Sequence, residues 1–243
     1  MTGDWLVSSA IRMRQLPMTT PLPNLRYERK FVAQGSTLAE VLAGVRRHSC
    51  SFREVYPPRI VNNIYFDSPA RRDYHEHING VASRTKTRVR WYGQNQDMAE
   101  CPRLERKLKR GSVSGKEAYD LAPLRLREGC RPSLFEAAFD SAALPPMLRS
   151  TLRHLEPALC NSYHRHYFLS HDARIRLTLD SCLRFCSVSH HRSPAGWSFH
   201  TASTVIIELK FAPEFAEHAS LVTNALPFRM TRFSKYVVGI ESI

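Results

Sequence analysis

Arg174-Ile175-Arg176-Leu177-Thr178-Leu179-Asp180 alternates without a break between polar and apolar residues. On a strand, Arg174, Arg176, Thr178 and Asp180 fall on one face and Ile175, Leu177 and Leu179 on the other. The pattern recurs along the chain. Arg26, Glu28 and Lys30 oppose Tyr27, Arg29 and Phe31. Lys86, Arg88 and Arg90 oppose Thr87, Val89 and Trp91, and Glu105, Lys107 and Lys109 oppose Leu104, Arg106 and Leu108. Glu208 and Lys210 oppose Ile207, Leu209 and Phe211. A solvated outer face explains any one such strand. As a set, these faces mix Glu with several Arg and Lys, recur as Glu-x-Lys and, Thr178 apart, lack the Ser, Thr and Gln that dilute ordinary solvated faces. An α+β fold that accounts for all of them is a closed eight-stranded antiparallel β-barrel, its lumen lined with charge and its apolar outer face covered by helices.

The helices that would cover it are few. Thr37-Leu38-Ala39-Glu40 is a capping box, after which Leu38, Val41, Leu42 and Val45 share one face. Pro69 after Ser68 predicts a second helix, ending at Asn79-Gly80. Ser133-Leu134-Phe135-Glu136 predicts a capped third, and Pro213-Glu214 a fourth running to about Asn224. Residues 1–23, with Pro17, Pro21 and Pro23, read as a flexible N-terminal leader, and the folded domain as residues 24–243. Ser187 to Thr201 reads as a long hairpin connection.

The 243 residues carry 35 Lys and Arg against 22 Asp and Glu, a formal charge of +13. Such a balance points to an anionic partner: nucleic acid, anionic lipid or phosphate-rich molecules. No apolar run reaches the roughly 18–20 residues that span a bilayer. Asp4 precedes the one N-terminal apolar patch, the wrong charge order for an export signal, so a soluble cytoplasmic protein is expected. Cys182, Cys186, His190 and His191 could ligate zinc, but their spacing is loose and free thiols beside loop histidines suffice. His164 and His166 read as outer-face residues. Phosphate-loop, dinucleotide-fold and serine-elbow motifs are absent.

Were the charged faces to line one cavity, Arg26, Lys30, Lys86, Arg88, Arg90, Lys107, Lys109, Arg174, Arg176 and Lys210 would point inward with Glu28, Glu105, Asp180 and Glu208. Guanidinium forks match phosphate oxygens, and several in a confined space suit phosphates in series. The carboxylates could then hold a hard divalent cation, Mg²⁺ or Mn²⁺, against phosphate oxygens. Each could equally serve as an internal ion-pair partner, Asp180 above all.

Several segments in order carry a family resemblance: Arg26-Tyr27-Glu28-Arg29-Lys30, Asn63-Ile64-Tyr65-Phe66-Asp67-Ser68-Pro69, Lys86-Thr87-Arg88-Val89-Arg90-Trp91-Tyr92-Gly93, Leu104-Glu105-Arg106-Lys107, Arg174 to Asp180, Ile207-Glu208-Leu209-Lys210 and Arg232-Phe233-Ser234-Lys235-Tyr236. Together they resemble the VTC domain, the polyphosphate polymerase domain of the vacuolar transporter chaperone family, within the CYTH-like triphosphate tunnel metalloenzymes. The resemblance implies an eight-stranded tunnel. It implies phosphate binding by Lys30, Arg88, Arg90, Lys107, Lys116, Arg165, Arg176, Lys210, Arg232 and Lys235, with Arg174 inside the tunnel or at its rim. Glu208 matches the principal metal ligand, and Glu28 and Glu105 its helpers. Around Lys235 the residue pattern alone indicates only a short strand. The inositol-polyphosphate sensing domain and membrane helices of the eukaryotic polymerase subunits have no counterpart in this sequence, so neither that regulation nor coupling to translocation is implied.

The expected function is a polyphosphate polymerase that moves the γ-phosphoryl group of ATP onto a growing inorganic polyphosphate chain, with Arg88, Arg90, Lys235 and Glu208 as catalytic groups and Mn²⁺ or Mg²⁺ as cofactor. The acceptor oxygen is already ionised, so no general base is needed. A tunnel triphosphatase, hydrolysing ATP or inorganic triphosphate, would need a carboxylate to position water. A non-catalytic binder of polyphosphate or nucleic acid would use the same charge. Specific nucleic-acid binding is not expected, since Trp91 alternates away from Arg90 onto the apolar face. A membrane-protein partner is left open.

Overall fold

The structure, a computed structural model, describes residues 26–111, 113–126, 129–188, 197–199 and 204–243. The expected leader, most of the 187–201 connection, and His190 and His191 lie outside the described residues.

The alternating segments are strands. In chain order they are β1 (Tyr27–Gln34), β2 (Arg53–Asp67), β3 (Ser83–Tyr92), β4 (Met98–Ala99), β5 (Arg103–Arg110), β6 (Val113–Asp120), β7 (Leu124–Arg125), β8 (Glu156–Leu169), β9 (Ile175–Cys186), β10 (Trp197–Phe199) and β11 (Thr204–Phe211). Eight run antiparallel in the order β1-β11-β9-β8-β2-β3-β5-β6, with β10 added to β9, while β4 and β7 form a separate ribbon. Lys107 on β5 and Glu28 on β1 stand near opposite ends of that path, yet their side chains are 2.5 Å apart. The sheet therefore curls on itself with the charged faces inside.

The closed barrel expected from the sequence is met in part. β1 gives one edge to β11 along its whole length. Its other edge approaches β6 through one isolated backbone bridge, Arg26 with Ser114. Among the described residues no ladder joins β1 to β6, and side chains such as the Lys107–Glu28 pair span the gap.

The helices are α1 (Leu38–Arg47), α2 (Arg72–Ile78), α3 (Pro132–Ser141), α4 (Pro146–Leu152), α5 (Ala216–Asn224) and α6 (Lys235–Glu241). Val41 and Val45 of α1 and Ala219 and Val222 of α5 pack on Phe31, Leu177, Leu179, Ile207 and Leu209. Phe135 and Phe139 of α3 and Leu148 and Leu152 of α4 cover Ile64, Val89 and Leu104. Each buried Leu, Ile or Phe contributes about 1.5–3 kcal/mol, so the outer face supplies most of the core energy. Arg29, polar on an apolar face, is matched by α5: its guanidinium donates to Thr223 at 2.8 Å and Ser220 at 3.0 Å.

The Thr37–Glu40 capping box is present in both directions, at 2.7 and 3.3 Å. The second helix starts at Arg72 instead of Pro69, because Arg71 is left-handed at φ 54°. Its free amides are met by Asp67, which accepts from the N–H groups of Asp73 and Tyr74. Ser133 does not cap the third helix. That helix begins one residue earlier at Pro132, which has no amide to satisfy. Pro213–Phe215 forms a 3-10 turn leading into α5.

The segment read as a short strand around Lys235 is helix α6, and it lies on the inner side. Tyr236 packs among Val61, Tyr65, Leu159, Tyr163 and Ile206. Gly239 allows that approach, since a Cβ there would stand 2.4 Å from Leu159 Cδ2. α6 thus covers one end of the curled sheet with apolar side chains and delivers Lys235 to the other groups inside. Among the described residues no helix is long and apolar enough to cross a membrane.

Candidate functional site on the inner face

Three ion-pair groups stand along the inner face. The first joins β1, β5 and β11. Lys30 faces Glu208, and Glu28 faces Lys210, as direct cross-strand neighbours. Lys210 Nζ lies 3.0 Å from Glu208 and 3.8 Å from Glu28, and Lys107 Nζ lies 2.5 Å from Glu28. Burial pushes the Glu208 carboxyl up, but Lys210, Lys30, Lys107 and Arg165 outweigh it and hold the group well below the usual carboxylate range. Burial and the neighbouring Glu208 likewise raise Glu28, and the lysines bring it down.

The second group joins β8, β9 and α6. Arg165 Nε and Nη2 donate to the two oxygens of Asp180 at 2.6 and 2.7 Å. Lys235 Nζ lies 2.5 Å from the same carboxylate and 4.7 Å from the centre of the Tyr163 ring. Arg165 also reaches to 3.9 Å from Glu208, tying this group to the first. Asp180 is fully buried, which raises its pKa, yet Arg165 and Lys235 hold it down to about 2.

The third group joins β3, β5 and β6. Arg88 donates through Nε and Nη2 to one oxygen of Glu105, at 2.9 and 2.7 Å, and Lys116 donates to the other at 2.5 Å. Arg90 lies 3.7 Å from Glu105, and donates to Asn63 at 2.9 Å and the Tyr163 hydroxyl at 3.0 Å. Tyr163 thereby connects the third group to the second.

Towards α6, Lys86 has no carboxylate within ion-pair distance among the described residues, although Asp73 is near enough to oppose its downward shift. Lys86 Nζ donates to Ser234 at 2.6 Å and lies 3.0 Å from His77 Nδ1. Burial, with Lys30, Lys107 and Arg84 nearby, pushes Lys86 down to about 7. Burial pushes Lys107 down to about 8, with Lys30 and Lys210 adding to the shift against Glu28. A bound polyanion would raise both values, so its binding takes up protons. The affinity for inorganic triphosphate is expected to fall as pH rises from 6.5 to 9, by about tenfold for each lysine whose pKa the anion raises by one unit. Calorimetry at constant ionic strength, in buffers of different ionisation enthalpy, measures both the affinity and the proton uptake; a pH-independent affinity contradicts the assignment.

The structure brings together Glu28, Lys30, Arg88, Arg90, Glu105, Lys107, Lys116, Arg165, Glu208, Lys210 and Lys235. Arg174 stands apart, and Arg176 and Arg232 are exposed at the margin of these groups. Arg174 is exposed on the turn before β9, 3.7 Å from Asp172 and over the ring of Phe215, on the side away from the inner groups. Arg176 pairs across strands with Lys210 but is exposed. Arg232 is exposed beside Arg84 and Lys109. Sequence reasoning missed Tyr163, Asn63 and Asn161. Asn63 donates to Asn161 at 2.7 Å, and both are buried. Two asparagines inside the apolar run Ile60 to Phe66 were the available signal, since a buried amide needs a partner.

Among the described residues, the chemistry of Glu28 and Glu208 fits a divalent cation. Lys210 already holds a positive charge between Glu28 and Glu208, and Mg²⁺ or Mn²⁺ is commonly bound by one or two carboxylates plus phosphate oxygens. Glu105 is held instead by Arg88, Arg90 and Lys116. No cluster of three or more His, Cys, Asp or Glu occurs among the described residues, so phosphate and water oxygens would complete the shell.

Two solved structures share this fold. A candidate adenylate cyclase from Vibrio parahaemolyticus is 12% identical over 87% of this chain and 97% of its own, with a TM-score of 0.50. A candidate adenylyl cyclase from Hippeastrum, described as having a dominant triphosphatase activity, is 12% identical over 90% of this chain and 95% of its own, with a TM-score of 0.52. No curated protein matches the chain. Residues 25–243 match the VTC domain, and the chain belongs to that family.

Proposed function

We propose that residues 24–243 form a polyphosphate polymerase that extends an inorganic polyphosphate chain with the γ-phosphoryl group of cytoplasmic ATP. In the reaction the bond between the γ-phosphorus and the β,γ-bridging oxygen breaks. A terminal oxygen of the chain bonds to that phosphorus, and ADP leaves with the electron pair. No proton moves, because the attacking oxygen is already ionised near neutral pH.

The observation that favours transfer over hydrolysis is the state of the inner carboxylates. Glu28, Glu105, Asp180 and Glu208 are all ion-paired and held below their ordinary range. Such groups are poor general bases for water. His77, beside Lys86, is pushed down to about 4, chiefly by burial, and is equally unsuited. What the site offers is fixed positive charge. Arg88, Arg90 and Arg165 are pre-positioned by Glu105, Asn63 and Asp180, so little reorganisation is needed to stabilise charge on the transferring group. Lys235 and Lys30 supply further point charges. Glu208, with Glu28, would hold Mg²⁺ or Mn²⁺, which supplies charge neutralisation at phosphate oxygens.

The activity recorded for the Hippeastrum structure makes hydrolysis of a triphosphate the second reading. Incubation with ATP and Mn²⁺, followed by polyphosphate staining of a gel and a free-phosphate assay, separates the two. A ladder is expected, with ADP formed in step with polymer and little free phosphate. Phosphate release without a ladder would make the protein a triphosphatase.

A further inference from the structure

At the end of the inner face away from α6, one arginine stands among three tyrosines. Arg59 Cζ lies 5.1 Å from the ring centre of Tyr56, 5.7 Å from Tyr92 and 5.8 Å from Tyr167. Tyr56 meets Tyr167 edge-on, with ring centres 5.8 Å apart. The cluster continues the rows that bind phosphate in the reading above. Arg59 pairs across strands with Arg165, and Tyr92 follows Arg90 on the same face of β3. Tyr167 is opposite Thr178, which is opposite Glu208, so two strand spacings of about 4.8 Å separate the tyrosine from that carboxylate.

Tyr56 is 54% exposed and Tyr92 47% exposed, so two large rings are accessible from solvent beside Arg59. Among the described residues no carboxylate lies within ion-pair distance of Arg59. Phosphate alone explains an arginine there but not the rings. An inorganic chain has no flat surface to stack, whereas a nucleoside triphosphate carries one at the end of its phosphates. Aromatic faces beside a guanidinium are the usual platform for a base.

We propose that Tyr56, Tyr92, Tyr167 and Arg59 seat the base and sugar of the donor nucleotide, with its phosphates running inward to Arg165 and Arg90. The inference rests on reading the inner face as the phosphate-transfer site. It makes the cluster a selector for a nucleotide donor over inorganic triphosphate, through stacking that tolerates different bases.

Calorimetry with ATP and with inorganic triphosphate, each with Mn²⁺, tests it on the wild-type chain and on Tyr92→Ala. Tyr56→Ala serves as a second variant of an exposed ring that the core does not need. Each variant is expected to weaken ATP by about tenfold while the affinity for inorganic triphosphate moves far less, because only ATP carries a base to stack on the lost ring. Loss of both ligands together, or of neither, overturns the inference. The binding measurement needs no turnover. A protein that makes no polymer but shows the selective loss keeps this inference and loses the polymerase reading; a polymerase with an unmoved affinity ratio does the reverse.

Discussion

Replacing Glu208 by alanine is expected to reduce polymer synthesis by about two to three orders of magnitude, carried by kcat rather than KM. Glu208 is buried, stands 3.0 Å from Lys210 and faces Lys30 across the ladder. Its removal takes one of two carboxylates from Lys210 and from Arg165, which keep Glu28 and Asp180, so the local potential becomes more positive and a polyanion binds at least as well. What disappears is the hard oxygen ligand diagonal to Glu28, and with it the place for a divalent cation between carboxylates and phosphate. Tighter or unchanged ATP binding with collapsed turnover is therefore the signature. Glu208→Gln, which keeps the shape and loses the charge, should behave like the alanine variant. Wild-type-like kcat in either would remove Glu208 from the site; a raised KM with intact kcat would make it a binding group only. Thermal melts of both variants separate a lost function from a lost fold.

The parts of this site that were legible in the sequence are those written in strand alternation. Residues 174–180 and 207–211 each carry their chemistry on one face, and a two-residue period assigns that face without knowledge of partners. The same holds for Glu28, Lys30, Glu105 and Lys107. The pairing of these faces was not legible. That Asp180 serves Arg165 and Lys235 depends on the register of β8 with β9 and on a helix 55 positions further on. The periodicity of residues 232–237 does not announce that helix, because α6 is short and is stabilised by Tyr236 and Gly239 packing inside the sheet. Arg174 shows the opposite failure. It continues the alternation of β9 by one residue, yet the strand ends at Ile175 and the left-handed Ala173 turns the chain outward. Tyr163 carries no charge and its ring is as buried as a core residue, so only its contact with Arg90 marks it as part of the site.

The second large effect is on stability. Asp180→Ala is expected to destabilise the fold by about 3–5 kcal/mol, because it leaves two cations facing each other without their shared counter-charge. Arg165 and Lys235 have side chains only 10% and 9% exposed, so water cannot replace the carboxylate cheaply. For a chain of this size each kcal/mol corresponds to roughly 2–4 °C in Tm, so a fall of about 6–20 °C is expected. The pH dependence carries the same sign. Asp180 is held at about 2, below its ordinary 3.8, so its contribution is complete above about pH 4 and is lost as pH falls towards 2. The acid limb of the wild-type stability curve should flatten in the variant. Inorganic triphosphate gives the decisive comparison. If Arg165 and Lys235 belong to an anion site, a bound phosphate supplies the missing negative charge, and the ligand must raise the Tm of Asp180→Ala more than that of the wild-type chain. Equal shifts would mean that Asp180, Arg165 and Lys235 form a structural ion pair outside the ligand's reach. A larger shift in the variant would mean that the carboxylate holds, in the empty protein, the place that phosphate takes during the reaction.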